Sequence, residues 1–252
     1  GERFSTNIPI VMKNIIVPVV AGLALISSAK AAEATTSLES LLPAETVLVM
    51  AAPDYATAKK HFKASASGQF WDSAEFKPFR KKLADGFEAN VLAKIEEELA
   101  VDFDAFEEMA SGPVALAVVP GLAAGGEPAL LLLLDAGRKS FALRRTLSQM
   151  KRDWKKADRN VSETEIGGID FTTVSDPGGQ RQVHIGRVDA KLIVGTATGQ
   201  IEGVLARLGG GGGGTLAANP AFAADHSALL KGADFYTWAN FGEVIPQLLD
   251  NA

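Results

Sequence analysis

Short apolar runs separated by Pro, Gly and Asp recur along this chain and indicate its fold. Runs of this kind predict buried β-strands. They cover residues 46–51, 114–119, 129–134, 163–174, 182–188, 192–196 and 233–239. In the fourth run the strand is expected to continue across Gly167 and Gly168. Because several strands follow one another with only short turns between them, we expect an α+β fold, with a mainly antiparallel sheet and helices packed on one face.

Apolar residues spaced three or four positions apart predict the helices. One helix is expected over residues 55–64, with Asp54 as its N-cap. Another is expected over residues 139–157. This second helix presents on one face Leu143, Leu147, Met150 and Trp154. Further helices are predicted where the same spacing recurs, at residues 76–99 and 200–208.

Residues 12–31 have the three parts of a secretory signal peptide. Lys13 supplies the positive start, Ile15–Ile26 the apolar run, and Ala29-x-Ala31 the small residues before a cleavage site. The apolar run is shorter than the about 20 residues that span a bilayer. We therefore expect residues 1–31 to be upstream residues and a cleavable signal peptide. The remaining chain is expected to be exported to the periplasm or the cell exterior, without a transmembrane anchor.

A run of six glycines divides the rest of the chain. Residues 32–208 are predicted to form the α+β domain and residues 209–215 a glycine linker, since Gly-rich runs are flexible. Residues 216–252 show the same order of strand, cap and helix start as residues 46–64. We interpret residues 216–252 as the start of a second, truncated repeat unit, and we expect the natural protein to continue beyond Ala252.

The composition excludes some classes of protein and partner. The chain has 25 Lys and Arg against 30 Asp and Glu, a formal net charge of −5, and it has no Cys. An acidic chain is a poor general binder of nucleic acid, so no nucleic-acid partner is expected. Without Cys the protein has neither disulfides nor a Cys-linked lipid anchor, and its stability must come from a packed core.

Three groups of residues resemble a known family. Leu42–Thr46 (LPAET) opens the first predicted strand, and Ser111–Ala117 (SGPVALA) enters the second. The third group is Ile201–Leu208 (IEGVLARL) followed by Leu216–Phe222 (LAANPAF). In these motifs the chain resembles exported bacterial proteins filed as domain of unknown function three-three-five-two. The resemblance implies export, an α+β fold and a longer parent chain with a repeated unit, but no activity and no site residues.

Ser148 and Lys151 match the Ser-x-x-Lys pair of penicillin-binding proteins and β-lactamases, in which the Lys can accept the Ser proton. This pair suggests a serine hydrolase acting on a cell-wall or extracellular substrate, with Ser148 as nucleophile and Lys151 as base. The further motifs are incomplete. Pro177 stands where the second motif has Asn, and Gly232-Ala233 stand where the third has Thr-Gly. The simpler interpretation is a surface Ser and Lys on an amphipathic helix.

The helix predicted over residues 139–157 is strongly basic. Residues 138–159 contain nine Lys and Arg against two Asp. A basic amphipathic helix can bind anionic lipid or an acidic polymer. The candidate residues for an anionic surface are Arg144, Arg145, Lys151, Arg152, Lys155 and Lys156. The alternative is an outer face that is only solvated, or that pairs with the acidic stretch at residues 85–108.

No motif for a metal or a cofactor is present. His61, His184 and His226 are the only histidines, and no two have the spacing of a metal-binding pair. The glycine run lacks the Gly-Lys-Ser/Thr that completes a phosphate-binding loop. We therefore expect a non-enzymatic binding or structural protein of the cell envelope, with an envelope component or an anionic surface as partner. An alternative is a carrier of an apolar ligand, with the long apolar strands lining a cavity.

Overall fold

The computed structural model describes residues 37–71, 73, 109–121, 128–156, 159–175, 182–240 and 242. In this part of the chain eight strands form one sheet, and every neighbouring pair is antiparallel. The strands are β1 (Leu48–Ala52), β2 (Val114–Val119), β3 (Ala129–Asp135), β4 (Asn160–Ile166), β5 (Ile169–Ser175), β6 (Gln182–Val188), β7 (Lys191–Gly195) and β8 (Tyr236–Ala239). Their order across the sheet is β4-β5-β6-β7-β3-β2-β1-β8. The predicted α+β fold with an antiparallel sheet is confirmed.

Five α-helices accompany the sheet in the described residues. They are α1 (Tyr55–Ala64), α2 (Ala66–Trp71), α3 (Ser140–Lys156), α4 (Thr198–Leu208) and α5 (Pro220–Asp225). Asp54 caps α1 as predicted, because its carboxylate accepts hydrogen bonds from the Thr57 N–H at 2.9 Å and the Thr57 hydroxyl at 2.8 Å. None of these helices has both the length and the apolar character that crossing a bilayer requires.

Helices cover both faces of the sheet. Side chains alternate along β3, so that Leu132 belongs to one buried cluster and Leu131 to the other. From α3, Trp154 packs into the first cluster, and from α4, Ile201 packs into the second. The prediction that helices pack on one face of the sheet is therefore incomplete, because helices pack on both faces. The reason is visible in β3, where an unbroken apolar run is buried at every position and needs a partner layer on each side.

Gly167 and Gly168 end a strand rather than continue it. Both have positive φ, +57° and +78°, and they form the two-residue turn between β4 and β5. Ile166, just before the turn, pairs with Ile169, just after it. The prediction of one continuous strand over residues 163–174 is wrong, because two successive positive φ angles reverse the chain in a tight hairpin, and glycine adopts them readily.

The segment after the glycine run returns to the same sheet. Strand β8 pairs with β1, with Val49 opposite Trp238 and Leu48 opposite Ala239. Trp238 is buried in the same cluster as Val49. The described part of residues 216–252 is thus built into the sheet of the preceding residues. The interpretation of residues 216–252 as the start of a second repeat unit stays a prediction.

The glycine run itself lies against the domain. The Gly211 N–H donates to the Ala206 carbonyl at the end of α4, at 2.9 Å. At the other end of the run, the Ala44 N–H donates to the Gly214 carbonyl at 3.2 Å. The segment predicted as a glycine linker therefore joins the end of α4 to the region beside Ala44, and it is hydrogen-bonded to the domain near both of its ends.

Several predictions lie outside the described residues. They are the signal peptide and upstream residues at 1–31, the helix at 76–99 and the acidic stretch at 85–108.

Candidate anionic-surface site

Helix α3 separates its apolar and basic side chains as the sequence predicts. Leu143 and Trp154 are buried against the sheet, and Leu147 and Met150 pack partly against the same cluster. The flank and outer side of the helix carry the exposed cations, which are Arg144, Arg145, Arg152, Lys155 and Lys156. Lys151, the sixth predicted residue, is half-buried. The outer surface of α3 is therefore a continuous basic face, here called the α3 basic face and defined by these six residues.

Two of the six cations of the α3 basic face have a carboxylate partner within the described residues, since Lys151 pairs with Glu163 and Lys156 lies near Asp153. Arg152 instead donates to the neutral side-chain oxygen of Gln149 at 2.5 Å. Lys156 is 3.7 Å from the carboxylate of Asp153, but both side chains are mostly exposed. An exposed pair of this kind contributes roughly 0–1 kcal/mol. The predicted pairing with the stretch at residues 85–108 lies outside the described part of the chain.

Phe141 lies at the start of α3 and is 68% exposed. The guanidinium carbon of Arg144 lies 5.2 Å from the centre of its ring, within cation–π range. The sequence analysis did not select Phe141. Its signal is the spacing of three residues between an aromatic and an Arg, which places both on the same side of a helix.

Ser148 and Lys151 do not form a hydrogen-bonded pair. The Ser148 hydroxyl donates to the Arg144 carbonyl at 2.9 Å, within the helix. The Lys151 ammonium forms a close ion pair with Glu163 on β4. A Ser bonded to the carbonyl four residues earlier is typical of a structural hydroxyl in a helix. The two side chains are therefore not arranged as nucleophile and base.

A cleft of about 180 Å³ lies between α3 and strands β5 and β6. Arg144, Ser148 and Lys151 line it from the helix, and Thr172 and Arg187 line it from the sheet. Asp170 also borders it. The cleft therefore brings one residue missed by the sequence analysis, Arg187, to the α3 basic face.

A second depression, of about 360 Å³, lies at the start of α3. Its lining includes Phe141, Arg144 and Arg187, together with Asp189 in the turn after β6. Arg144 and Arg187 thus border both depressions. Arg187 is separated from α3 by two strands in the sequence, so no local pattern could have indicated this juxtaposition.

The three histidines lie on different elements, each with its own contacts. His61 pairs with Asp234 at 3.0 Å, and His226 stacks on Phe222 with ring centres 5.3 Å apart. His184 is buried and hydrogen-bonded to the Thr173 hydroxyl at 2.8 Å. Burial lowers the pKa of the His184 imidazole. In the described residues no three His, Asp or Glu side chains are grouped to hold a metal ion.

The long apolar strands were candidates to line a ligand cavity, but their side chains pack directly against those of the helices. Leu131, Leu133 and Ile193 are buried in one cluster with Ile201 of α4. Leu132 and Leu134 are buried in the other cluster with Leu143 of α3. Close packing of this kind counts against a cavity for an apolar ligand where β3 and β7 pack against these two helices.

A scan against protein-family models gives no match for this chain, and searches of curated proteins and of solved structures give none either.

Proposed function

We propose that this is an exported, non-enzymatic protein of the cell envelope, and that it docks on an anionic lipid surface through the α3 basic face. One observation carries the proposal. Five exposed cationic side chains share the outside of one helix with a single acidic residue, Asp153, in a chain whose net charge is negative. The outer side of α3 therefore carries a local excess of positive charge. That excess favours an approach to an anionic surface with α3 foremost.

Export rests on the sequence of residues 12–31, which has the order of a signal peptide. The resemblance to exported bacterial proteins agrees with it and belongs to the same proposal. An exported protein meets the anionic lipids and polymers of the envelope, so the compartment and the charge pattern support one another.

The geometry of α3 determines the mode of docking. Its apolar side, including Leu143 and Trp154, is already buried against the sheet. The helix therefore does not insert its apolar face into lipid, as isolated amphipathic helices do. Docking is electrostatic and takes place at the level of the headgroups, where Phe141 is the exposed aromatic side chain beside the cations.

The expected affinity is moderate and depends on salt. Each Lys or Arg near an anionic membrane surface contributes about 1 kcal/mol. The five exposed cations of α3 thus contribute on the order of 5 kcal/mol before the repulsion from the acidic remainder is subtracted. Exposed charges are screened over about 10 Å at 0.1 M salt. We therefore expect binding at low ionic strength that weakens steeply as salt is added.

The test is co-sedimentation with vesicles containing phosphatidylglycerol at low salt. A triple variant, Arg145→Gln, Arg152→Gln and Lys155→Gln, should lose most of the binding. The matched control changes three exposed lysines away from α3, Lys60→Gln, Lys63→Gln and Lys231→Gln, and alters the net charge equally. The control should keep wild-type binding. Equal behaviour of the two triple variants, or equal binding to neutral vesicles, would contradict the proposal.

A further inference from the structure

Arg144 and Arg187 are the two cations that the fold brings together without giving either one a carboxylate partner among the described residues. Arg144 is on α3 and Arg187 is near the end of β6, and both border the cleft and the depression beside Phe141. Their proximity depends on the packing of α3 across the sheet. It is therefore a property of the fold and not of the basic helix alone.

Arg187 is held in place and still has donors to offer. One of its terminal nitrogens donates to the Asp189 carbonyl at 2.8 Å. Asp189 is the only non-glycine residue of the described chain with positive φ, +53°, so the tight turn directs this carbonyl back towards Arg187. A guanidinium carries five N–H donors. The contact therefore orients Arg187 and leaves most of its N–H groups for a ligand.

The two depressions that the arginines border have polar residues in their lining as well as the aromatic ring of Phe141. Ser148 and Thr172 line the cleft, and Ser140 lines the depression at the start of α3. Asp170 and Asp189 also border them and repel any anionic ligand. Among anionic groups a phosphate is favoured by hydrogen bonding rather than by net charge, because guanidinium groups bind its oxygens in bidentate pairs.

We propose that Arg144 and Arg187 bind the phosphate of a phosphomonoester, with the lipid headgroup of phosphatidic acid type as its source. The inference rests on the proposed function and specifies the headgroup that the α3 basic face selects. Phe141 lies beside Arg144 and lines the same depression as both arginines. A headgroup held there has its glycerol and acyl chains next to the exposed ring, as docking at the membrane requires.

The experiment compares vesicles of phosphatidic acid and phosphatidylglycerol that are matched for surface charge. Wild-type protein should bind the phosphatidic acid vesicles about fivefold more tightly, because bidentate charge-assisted hydrogen bonds add to the general attraction. The variant Arg187→Lys keeps the charge but not the planar fork of N–H donors. Because Arg187 is not part of the α3 basic face, this variant should bind phosphatidylglycerol like the wild type and lose the preference for phosphatidic acid.

This design separates the two proposals. Equal wild-type binding to both vesicle types, or a preference that survives in Arg187→Lys, would overturn the phosphate site and leave the docking proposal standing. No binding to either vesicle would overturn both. A second arm titrates inorganic phosphate while the Arg side-chain N–H resonances are followed by NMR. Saturable shifts without a lipid preference would assign the site to a free phosphomonoester and overturn the lipid source.

Discussion

The guanidinium carbon of Arg144 lies 5.2 Å from the centre of the Phe141 ring, and this ring is 68% exposed. An aromatic ring and a cation in contact on the surface combine an apolar group with a charge, as side chains at membrane interfaces do. The pair lies at the start of α3, where the basic face meets the two depressions. It is therefore the part of the site that should contact lipid most closely.

Replacing Phe141 with Ala should weaken binding to anionic vesicles about fivefold, since partial burial of one aromatic ring contributes roughly 1 kcal/mol. Because the ring is exposed, the free energy of unfolding should stay within about 0.5 kcal/mol of wild type. The matched control is Leu229→Ala, which removes an apolar side chain that is 73% exposed outside α3. A loss of vesicle binding as large in the control as in Phe141→Ala would contradict the role of the ring.

Ser148 should not react with a serine-directed fluorophosphonate probe. Its hydroxyl donates to the Arg144 carbonyl, and Lys151 is paired with Glu163, so Lys151 is not placed to take the proton. The measurement is probe labelling of wild type and Ser148→Ala, with an active penicillin-binding protein as positive control. Labelling of the wild type that disappears in Ser148→Ala would restore the serine hydrolase alternative.

The Tyr236 hydroxyl donates to the buried carboxylate of Glu39 and ties β8 to the segment before β1. Tyr236→Phe removes the donor and leaves a buried acceptor without its partner. The expected loss is about 2 kcal/mol in the free energy of unfolding, measured by urea denaturation. Glu39→Gln keeps a side-chain oxygen that can accept the bond and should cost less. A smaller loss for Tyr236→Phe than for Glu39→Gln would contradict this assignment.

The same pair predicts how stability changes at high pH. Burial, and then the charge and hydrogen bond of Glu39, raise the pKa of the Tyr236 phenol well above its usual range. In the unfolded chain a Tyr ionises at about pH 10. The unfolded state therefore loses this proton first, and stability should fall as pH rises above about 10. In Tyr236→Phe this fall should be smaller, and an unchanged fall would show that Tyr236 does not contribute to it.

His184 predicts a change at low pH. Burial lowers the pKa of its imidazole, so the folded protein holds the ring neutral while the unfolded chain takes up a proton below about pH 6.5. Its contribution is present above that pH and is lost as pH falls towards the lowered pKa. Urea denaturation at pH 7.5 and 5.5 should show a smaller difference in His184→Gln than in wild type. An equal difference in His184→Gln and in wild type would contradict this assignment.

Much of α3 and of the sheet could be predicted because the relevant signals are local. The helical spacing of apolar residues such as Leu143 and Trp154 predicts which side of α3 is buried. Asp54 predicts where α1 begins, because Asp is a preferred N-cap residue. The six cations of the α3 basic face follow from the same helical spacing. Each of these predictions depends only on residues a few positions apart.

The remaining features depend on contacts between distant parts of the chain. The pairing of β8 with β1 depends on tertiary packing that joins Val49 to Trp238, and no local pattern encodes it. The meeting of Arg144 with Arg187 depends on how α3 crosses β5 and β6. The Gly167-Gly168 pair is itself a local turn signal, but the apolar residues on both sides of it favour a continuous strand.

The salt dependence of vesicle binding tests the central claim most directly. Binding of wild type to phosphatidylglycerol vesicles should weaken at least tenfold between 50 and 200 mM NaCl, because several exposed cations act together. The α3 triple variant should bind weakly at both concentrations, with a flatter dependence, and the control triple variant should follow the wild type. An α3 triple variant with the affinity and salt dependence of the wild type would contradict docking through the α3 basic face.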